Sequence, residues 1–259
     1  MADADLKALL RVAKDAAAEA GEALRSHRAQ WSGVEAVIGR EVKVDADKKA
    51  EAIVLGALKA GGPIAVLSEE AGWVGNGDRN RPDGLAWAVD PLDGSVNYIQ
   101  GYPHCAVSVA LLKDGHPILG VVDCFMMGET FYGAVGEGAW LNGAAISVSD
   151  VSDPRAGILN TGIPARINAE AEAFSDFMRE ILAWRKVRMI GSAAAALAYV
   201  ASGRADFYRE SGAMLWDVAA GCALVEAAGG SVRLIGPSPD QPMIVGASNA
   251  RLAGRLDQL

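Results

Sequence analysis

The sequence predicts a mixed α/β fold on three observations. An amphipathic helical pattern opens the chain. Short apolar runs separated by hairpin turns fill residues 106–148. Beyond residue 154 strand-like and helix-like runs alternate, the order of an α/β lobe. The composition shifts at Asp150–Pro154, which divides an N-terminal lobe (1–150) from a C-terminal lobe (151–259).

Each element has its own signal. Leu6, Leu9, Leu10, Ala13, Ala16, Ala17, Ala20 and Leu24 recur at helical spacing between about Ala4 and Ser26. Asp45 or Asp47 can cap a second helix, Lys48 to Leu58, which Gly61-Gly62-Pro63 stops. Ile64–Leu67 and Leu85–Val89 read as strands, with a Gly- and Pro-containing loop at 71–83 between them. Pro91 lacks an N–H and is expected to turn the chain. Ala106–Leu112 and Ile118–Phe125 flank the turn Lys113-Asp114-Gly115-His116. Thr130–Val135, Ala139–Leu141 and Ile146–Val148 continue the hairpins, with Asn142-Gly143 as another strong turn. This block suggests one large sheet covered by the first two helices. In the second lobe, Ile158–Thr161, Val187–Ile190 and Ala205–Tyr208 read as strands. Glu170–Leu182, Ser192–Ala201 and Asp217–Ala228 read as helices. The Ala-rich patches on those helices imply close packing.

With 259 residues, 51% hydrophobic and 22% charged, the chain has a substantial core. A net charge of −8 and the lack of a Lys/Arg-rich run argue against a general nucleic-acid or membrane-surface binder. Cys105, Cys124 and Cys222 are an odd set without a close pair; they read as small buried hydrophobes in a reducing compartment. Met1-Ala2-Asp3-Ala4-Asp5 is not a secretory n-region, and no run of 18 apolar residues exists, so a cytoplasmic protein is expected. His27, His104 and His116 share no metal-ligand spacing, and Gly94 lacks a P-loop pattern.

The most informative segment is Trp87-Ala88-Val89-Asp90-Pro91-Leu92-Asp93-Gly94-Ser95. An apolar strand ending in two carboxylates must neutralise them, and a hard divalent cation is one way to do so. A turn with two solvated aspartates is the other reading. Ser68-Glu69-Glu70 follows its own apolar run, and Trp216-Asp217 opens a helix-like stretch. Asp47 and Asp217 also read as helix N-caps. Gly191-Ser192-Ala193-Ala194, after a strand, reads either as a helix N-terminus that seats phosphate or as ordinary helix entry. Glu210 reads as a solvated loop acid.

In Ser68-Glu69-Glu70, Asp90-Pro91-Leu92-Asp93-Gly94-Ser95, Gly191-Ser192-Ala193-Ala194, Trp216-Asp217-Val218-Ala219-Ala220-Gly221 and Glu226-Ala227-Ala228-Gly229-Gly230, the chain resembles the inositol monophosphatase family. The resemblance runs from about Val44 to Gly230 and implies a layered αβαβα sandwich of the inositol monophosphatase and fructose-1,6-bisphosphatase type. It implies a Mg²⁺-dependent, lithium-sensitive phosphomonoesterase with two to three ions per site. The implied metal ligands are Glu69, Asp90, the Leu92 carbonyl, Asp93 and Asp217, with Glu70 in a supporting role. Asp47 and the Ser95 hydroxyl, where threonine is commoner in the family, would orient and deprotonate the attacking water. Asp93, Gly94, Ser95, Gly191, Ser192, Ala193, Glu210 and Asp217 would bind substrate.

Val96-Asn97-Tyr98 after Ser95 resembles the inositol monophosphatases more than the nucleotidase branch, which implies inositol monophosphate as substrate. Histidinol phosphate, fructose-1,6-bisphosphate and 3′-phosphoadenosine phosphate remain open within the same superfamily. The resemblance also implies a homodimer, with a small phosphorylated substrate and neither nucleic acid nor membrane as partners. A different class of reading keeps the fold but makes the chain a regulatory binding protein, for instance for the transcription machinery.

Overall fold

The structure is a computed structural model that describes residues 3–38, 41–75, 84–163 and 172–259. In chain order the first half contains α1 (Asp3–Ser26), α2 (Arg28–Trp31), β1 (Val34–Ile38), β2 (Glu41–Val44), α3 (Asp45–Leu58), β3 (Ala65–Ser68), β4 (Gly72–Val74), β5 (Leu85–Asp93), α4 (Ser95–Gln100), β6 (Ala106–Lys113), β7 (His116–Cys124), β8 (Glu129–Ala134), β9 (Gly138–Leu141) and β10 (Ala144–Ile146). The second half contains β11 (Ile158–Thr161), α5 (Glu172–Ala183), β12 (Lys186–Arg188), α6 (Ala193–Ala201), β13 (Phe207–Ala213), α7 (Leu215–Ala227), β14 (Ser231–Ile235) and β15 (Met243–Ser248).

An eight-stranded sheet runs β10-β9-β8-β7-β6-β5-β3-β4, and a five-stranded sheet runs β12-β11-β13-β15-β14. Helices α1 and α3 cover one face of the large sheet, while α6 and α7 fill the layer between the two sheets. The outer face of the small sheet carries Leu159, Phe207, Trp184, Leu252 and Leu256. The resulting layers are those of the expected αβαβα sandwich. β6 explains why its strand reads as one continuous apolar run. Val107, Val109 and Leu111 join the cluster under α1 and α3, whereas Ala106, Ala110 and Leu112 face the cluster that holds α6 and α7. No helix among the described residues is long and apolar enough to cross a membrane.

The two tight turns adopt the backbone their residues favour: Asp114-Gly115 have φ of 53° and 79°, and Asn142-Gly143 have 48° and 90°. Elsewhere the structure departs from the sequence reading. Pro91 does not turn the chain. β5 runs on to Asp93, and its register against β6 passes from Asp90↔Ser108 to Asp93↔Ala106. Pro91 and Leu92 thus oppose the single residue Val107, and a bulge is where a strand tolerates a missing N–H. The chain turns at Gly94, whose φ is 84°. Part of the expected loop at 71–83 is β4, paired antiparallel with β3, while 76–83 lie outside the described residues, as do 170–171 at the start of the expected helix. The β1–β2 hairpin, α2, α4, β14 and β15 were not read from the sequence, and β10 sits two residues earlier than expected. The first two main helices cover only one face of the large sheet.

Small residues set the spacing of the middle layer. A Cβ on Gly120 of β7 would lie 2.1 Å from the Ala220 carbonyl oxygen of α7, and one on Gly221 would lie 2.3 Å from the Leu197 Cβ of α6. Gly56 in α3 faces open space. Gly120→Ala is therefore expected to cost about 1–3 kcal/mol of stability through overpacking. Gly56→Ala is expected to gain up to about 1 kcal/mol from helix propensity. Denaturant midpoints of the two variants check the contrast.

Asp123 on β7 is 7% exposed, and Gly21 of α1 presses against it: a Cβ there would meet the Asp123 Oδ2 at 2.2 Å. Its Oδ1 accepts the Thr130 hydroxyl at 2.7 Å. Burial pushes its carboxyl up to about 6 from an ordinary 3.8, against the lowering effect of Thr130. Below pH 4 both folded and unfolded chains hold the proton. Between about 4 and 6 the folded chain binds more proton, so stability falls as pH rises, and above 6 a penalty of at most about 3 kcal/mol is fully present. Asp123→Asn keeps the oxygen facing Thr130 and removes the charge. Its melting temperature should match the parent at pH 4 and exceed it at pH 8; equal curves at both values would refute this.

Candidate active site

The parallel pair β3–β5 places the first acids together. Ser68 aligns with Val89, and the Glu69 amide donates to the Val89 carbonyl at 3.2 Å, so the turn after β3 sits beside Asp90. Asp90 is buried, and its Oδ1 accepts the Leu92 amide at 2.9 Å. That contact lies in the bulge, where the Leu92 side chain is buried in the core and the residue has no register partner on β6.

Asp93 ends β5 and receives three donors from the entry of α6. Its Oδ2 accepts the Ser192 hydroxyl at 2.5 Å and the Ala194 amide at 2.7 Å, and its Oδ1 accepts the Ala193 amide at 3.3 Å. Ser192 also caps α6 by accepting the Ala195 amide at 3.2 Å. The sequence offered this helix N-terminus either to phosphate or to ordinary helix entry; in the structure its donors are directed at an internal carboxylate.

Asp217 is the third residue of α7 rather than its cap, and it reaches back to accept the Met214 amide at 2.9 Å. Trp216 beside it accepts the Ser108 hydroxyl through its carbonyl at 3.3 Å, which ties α7 to β6. Glu210 on β13 is not a freely solvated acid: it accepts the Tyr208 hydroxyl at 2.6 Å, and burial raises its carboxyl against that bond.

The acids act on one another. Asp90 stands well above its ordinary range through burial first, then the charges of Glu69, Asp93 and Asp217, and a hydrogen bond with Glu69. Asp217 is raised by burial, then by Asp93 and Glu69, with Glu210 adding to the shift against the Met214 amide. Asp93 is pushed up to about 7 by burial, against its bonds to Ser192, Ala194 and Ala193, with Glu69 adding to the rise. Residues from the turn after β3, the end of β5 and the start of α7 therefore form one electrostatic group. Among the described residues no three His, Cys, Asp or Glu side chains stand already in the arrangement of a metal centre. The donors are all oxygen and their charges oppose one another, a set whose chemistry fits a hard divalent cation.

Asp47 is buried in the first turn of α3, and Ser95 is the first residue of α4. The Asp47 charge is felt at Tyr98 of α4, whose hydroxyl burial pushes up to about 12 against Arg28, with Cys105 and Asp47 adding to the rise. Gly94 has no room for a side chain, since a Cβ would lie 2.9 Å from the His104 carbonyl oxygen and 3.0 Å from that of Gly191.

Two contributors were missed in the sequence. Asn97 donates its amide to the carbonyls of His104 and Ile190, both at 2.7 Å, and so pins the Gly191 segment to α4. Glu51, 9% exposed, accepts the Ser68 hydroxyl at 2.5 Å and the Ala71 amide at 3.0 Å, bracketing Glu69 and Glu70. Asn97 leaves no periodic signal. Glu51 leaves one: it is an acid within the stripe Ala50, Val54, Leu58, one turn after Asp47. The cysteines are buried free thiols, as their sequence context suggested.

The profile of the inositol monophosphatase family matches residues 5–257. An inositol-1-monophosphatase of Synechocystis is 36% identical over 241 residues, covering 91% of this chain and 82% of that protein. The Nus factor SuhB of Xylella fastidiosa is 38% identical over 226 residues, covering 83% and 80%. The structure of an inositol monophosphatase from Anabaena superposes with a TM-score of 0.82 at 35% identity, covering 98% of this chain and 95% of that one. These matches agree with the layered fold, and the chain belongs to the inositol monophosphatase family.

Proposed function

We propose that this protein is a Mg²⁺-dependent phosphomonoesterase that hydrolyses a small phosphorylated polyol, inositol monophosphate first among the candidates, to an alcohol and inorganic phosphate. The observation that carries the reading is that Glu69 raises Asp90, Asp93 and Asp217 together, acids from three distant segments acting at one place. Glu69, Asp90, the Leu92 carbonyl, Asp93 and Asp217 would hold two to three ions. Bound there, the ions supply a lowered pKa for water and neutralise charge on the phosphoryl and leaving oxygens.

The remaining work falls to the chain. Ser192 and the α6 amides hold Asp93 in one orientation. Gly94 lets the chain turn sharply into α4, so that Ser95 and Asp47 orient the attacking water. Glu210, held by Tyr208, accepts a substrate hydroxyl. Gly191, Ser192 and Ala193 support substrate binding through Asp93. The same reading carries a homodimer, lithium sensitivity and a cytoplasmic setting.

A second reading rests on the relatives named Nus factor SuhB, at 35–38% identity. In it the chain keeps the fold and serves a regulatory partner, nucleic-acid machinery included. Stoichiometric capture of such a partner by a protein with negligible turnover would favour it.

Phosphate release with Mg²⁺ from inositol monophosphate, histidinol phosphate, fructose-1,6-bisphosphate and 3′-phosphoadenosine phosphate, ranked by kcat/KM, tests the proposal. Asp93→Asn should fall to background with an unchanged circular dichroism spectrum; undiminished turnover would overturn the assignment.

Glu51→Ala removes the acceptor shared by Ser68 and Ala71. Its Mg²⁺ affinity, followed by the melting temperature during metal titration, should drop about 10- to 100-fold, the usual cost of losing a ligand's supporting partner. Glu51→Gln keeps an oxygen there and should retain most of the affinity.

A further inference from the structure

A concavity of about 510 Å³ opens between the 3-10 turn Pro154–Ala156, the end of α5 and the terminal 3-10 helix Ala253–Gln258. It shares no residue with the acidic site. Arg155, Arg185 and Arg255 line it together with Asp153, Pro154, Leu182 and Trp184. Its volume is that of a small-ligand site. The acidic balance of the whole chain conceals this local run of cations.

The arginines differ in what already holds them. Arg255 is fixed: its Nη2 donates to both Glu180 oxygens at 2.9 and 2.8 Å, and its guanidinium lies over the Trp184 ring at 5.4 Å. Trp184 Nε1 holds the same carboxylate at 2.8 Å. The Arg255 Nε is nevertheless buried without a hydrogen-bond partner. A buried donor left unpaired is unusual and calls for an acceptor. Asp153 accepts the Arg155 backbone amide at 2.9 Å, which caps the turn. Among the described residues neither the Arg155 nor the Arg185 guanidinium has a protein acceptor, and both residues are exposed, so an anion entering the concavity meets two solvent-facing guanidiniums. Their backbones are tied together, because the Arg185 amide donates to the Pro154 carbonyl at 3.0 Å. Even with Asp153 and Glu180 counted, the three arginines leave one positive charge in excess. Leu182 adds an apolar rim that is 78% exposed.

We propose that this concavity is a second ligand site, for a small organic phosphate with a flat apolar body of the nucleoside monophosphate class. Arg155 and Arg185 take the phosphate, since the planar guanidinium matches phosphate oxygens two at a time. The apolar body lies against Pro154 and Leu182. The proposal stands on this geometry and does not depend on the phosphatase reading.

Isothermal titration with adenosine monophosphate in EDTA, where the acidic site holds no divalent cation, tests it. Binding is expected for adenosine monophosphate, weaker binding for inorganic phosphate and none for adenosine, with affinity falling as salt rises. Arg155→Ala and Arg185→Ala should each weaken it at least tenfold, and the double variant should abolish it. Neither guanidinium has a protein acceptor among the described residues, so the melting temperature should hold, and phosphate release should be unchanged. Absence of binding in EDTA, binding that survives the double variant, or binding lost on Asp93→Asn would each overturn the proposal.

Discussion

The structure turns on the cost of bringing several like charges to one poorly solvated place. Asp93 gives the clearest measure. A carboxylate that accepts two or three good donors ordinarily titrates far below its reference value. Asp93 accepts the Ser192 hydroxyl and two helix amides, yet it is pushed up to about 7. Burial, with the Glu69 charge added, outweighs the donors. Asp90 and Asp217, each with one backbone donor in place, are raised well above the ordinary carboxylate range by burial first. A protein whose stability rests on a few kcal/mol keeps such a group only where the rest of the fold holds it in place.

That holding force comes from packing well away from the acids. The entry of α6 supplies the donors to Asp93, and α7 supplies Asp217, so the two helices must lie at fixed depth between the sheets. Gly120 lets the α7 backbone touch β7, and Gly221 lets α6 touch α7. The alanines on both helices serve the same end, since small residues fix helix separation more tightly than long flexible ones. On the other side, Arg28 donates to the Tyr98 and Ile99 carbonyls, and the Tyr98 hydroxyl donates to the Leu24 carbonyl. These bonds anchor α4, and with it Ser95, to the end of α1. The acidic site is where these two packing systems meet.

What the sequence made legible follows from the range of the interaction involved. Periodicity revealed α1, a capping aspartate and a Gly-Gly-Pro stop bracketed α3, and left-handed turn residues revealed the hairpins, because those signals are local. The acids could be grouped from their places at strand ends and a helix start, where α/β proteins collect ligands, and the resemblance gave them roles; the parallel pairing of β3 with β5 that sets Glu69 beside Asp90 is nonlocal and was not legible. The bulge at Pro91 was misjudged for the same reason: whether a proline breaks a strand depends on whether its missing N–H faces a partner. Ser231–Ile235 alternates polar and apolar residues and was readable as a strand, but the position of β15 between β13 and β14 was not. Glu51 was visible as an acid in an apolar stripe; its use, holding the turn that carries Glu69, was not.

The direction of the α6 amides bears on how an anion is bound. A helix N-terminus offers roughly half a positive charge and free N–H groups, and either a phosphate or a carboxylate can take it. In this chain Asp93 takes it. A phosphate monoester, itself about doubly charged near neutral pH, would then approach Asp90, Asp93, Asp217 and Glu69 within a protein of net charge −8, with the nearby helix dipole already engaged. Coulomb repulsion at a few ångströms amounts to about 1 kcal/mol per pair of unit charges in water and several times more near a protein surface. If a phosphate is the substrate, cations held by the same acids would balance its charge, so the feature that opposes substrate binding would also recruit the ions that permit it.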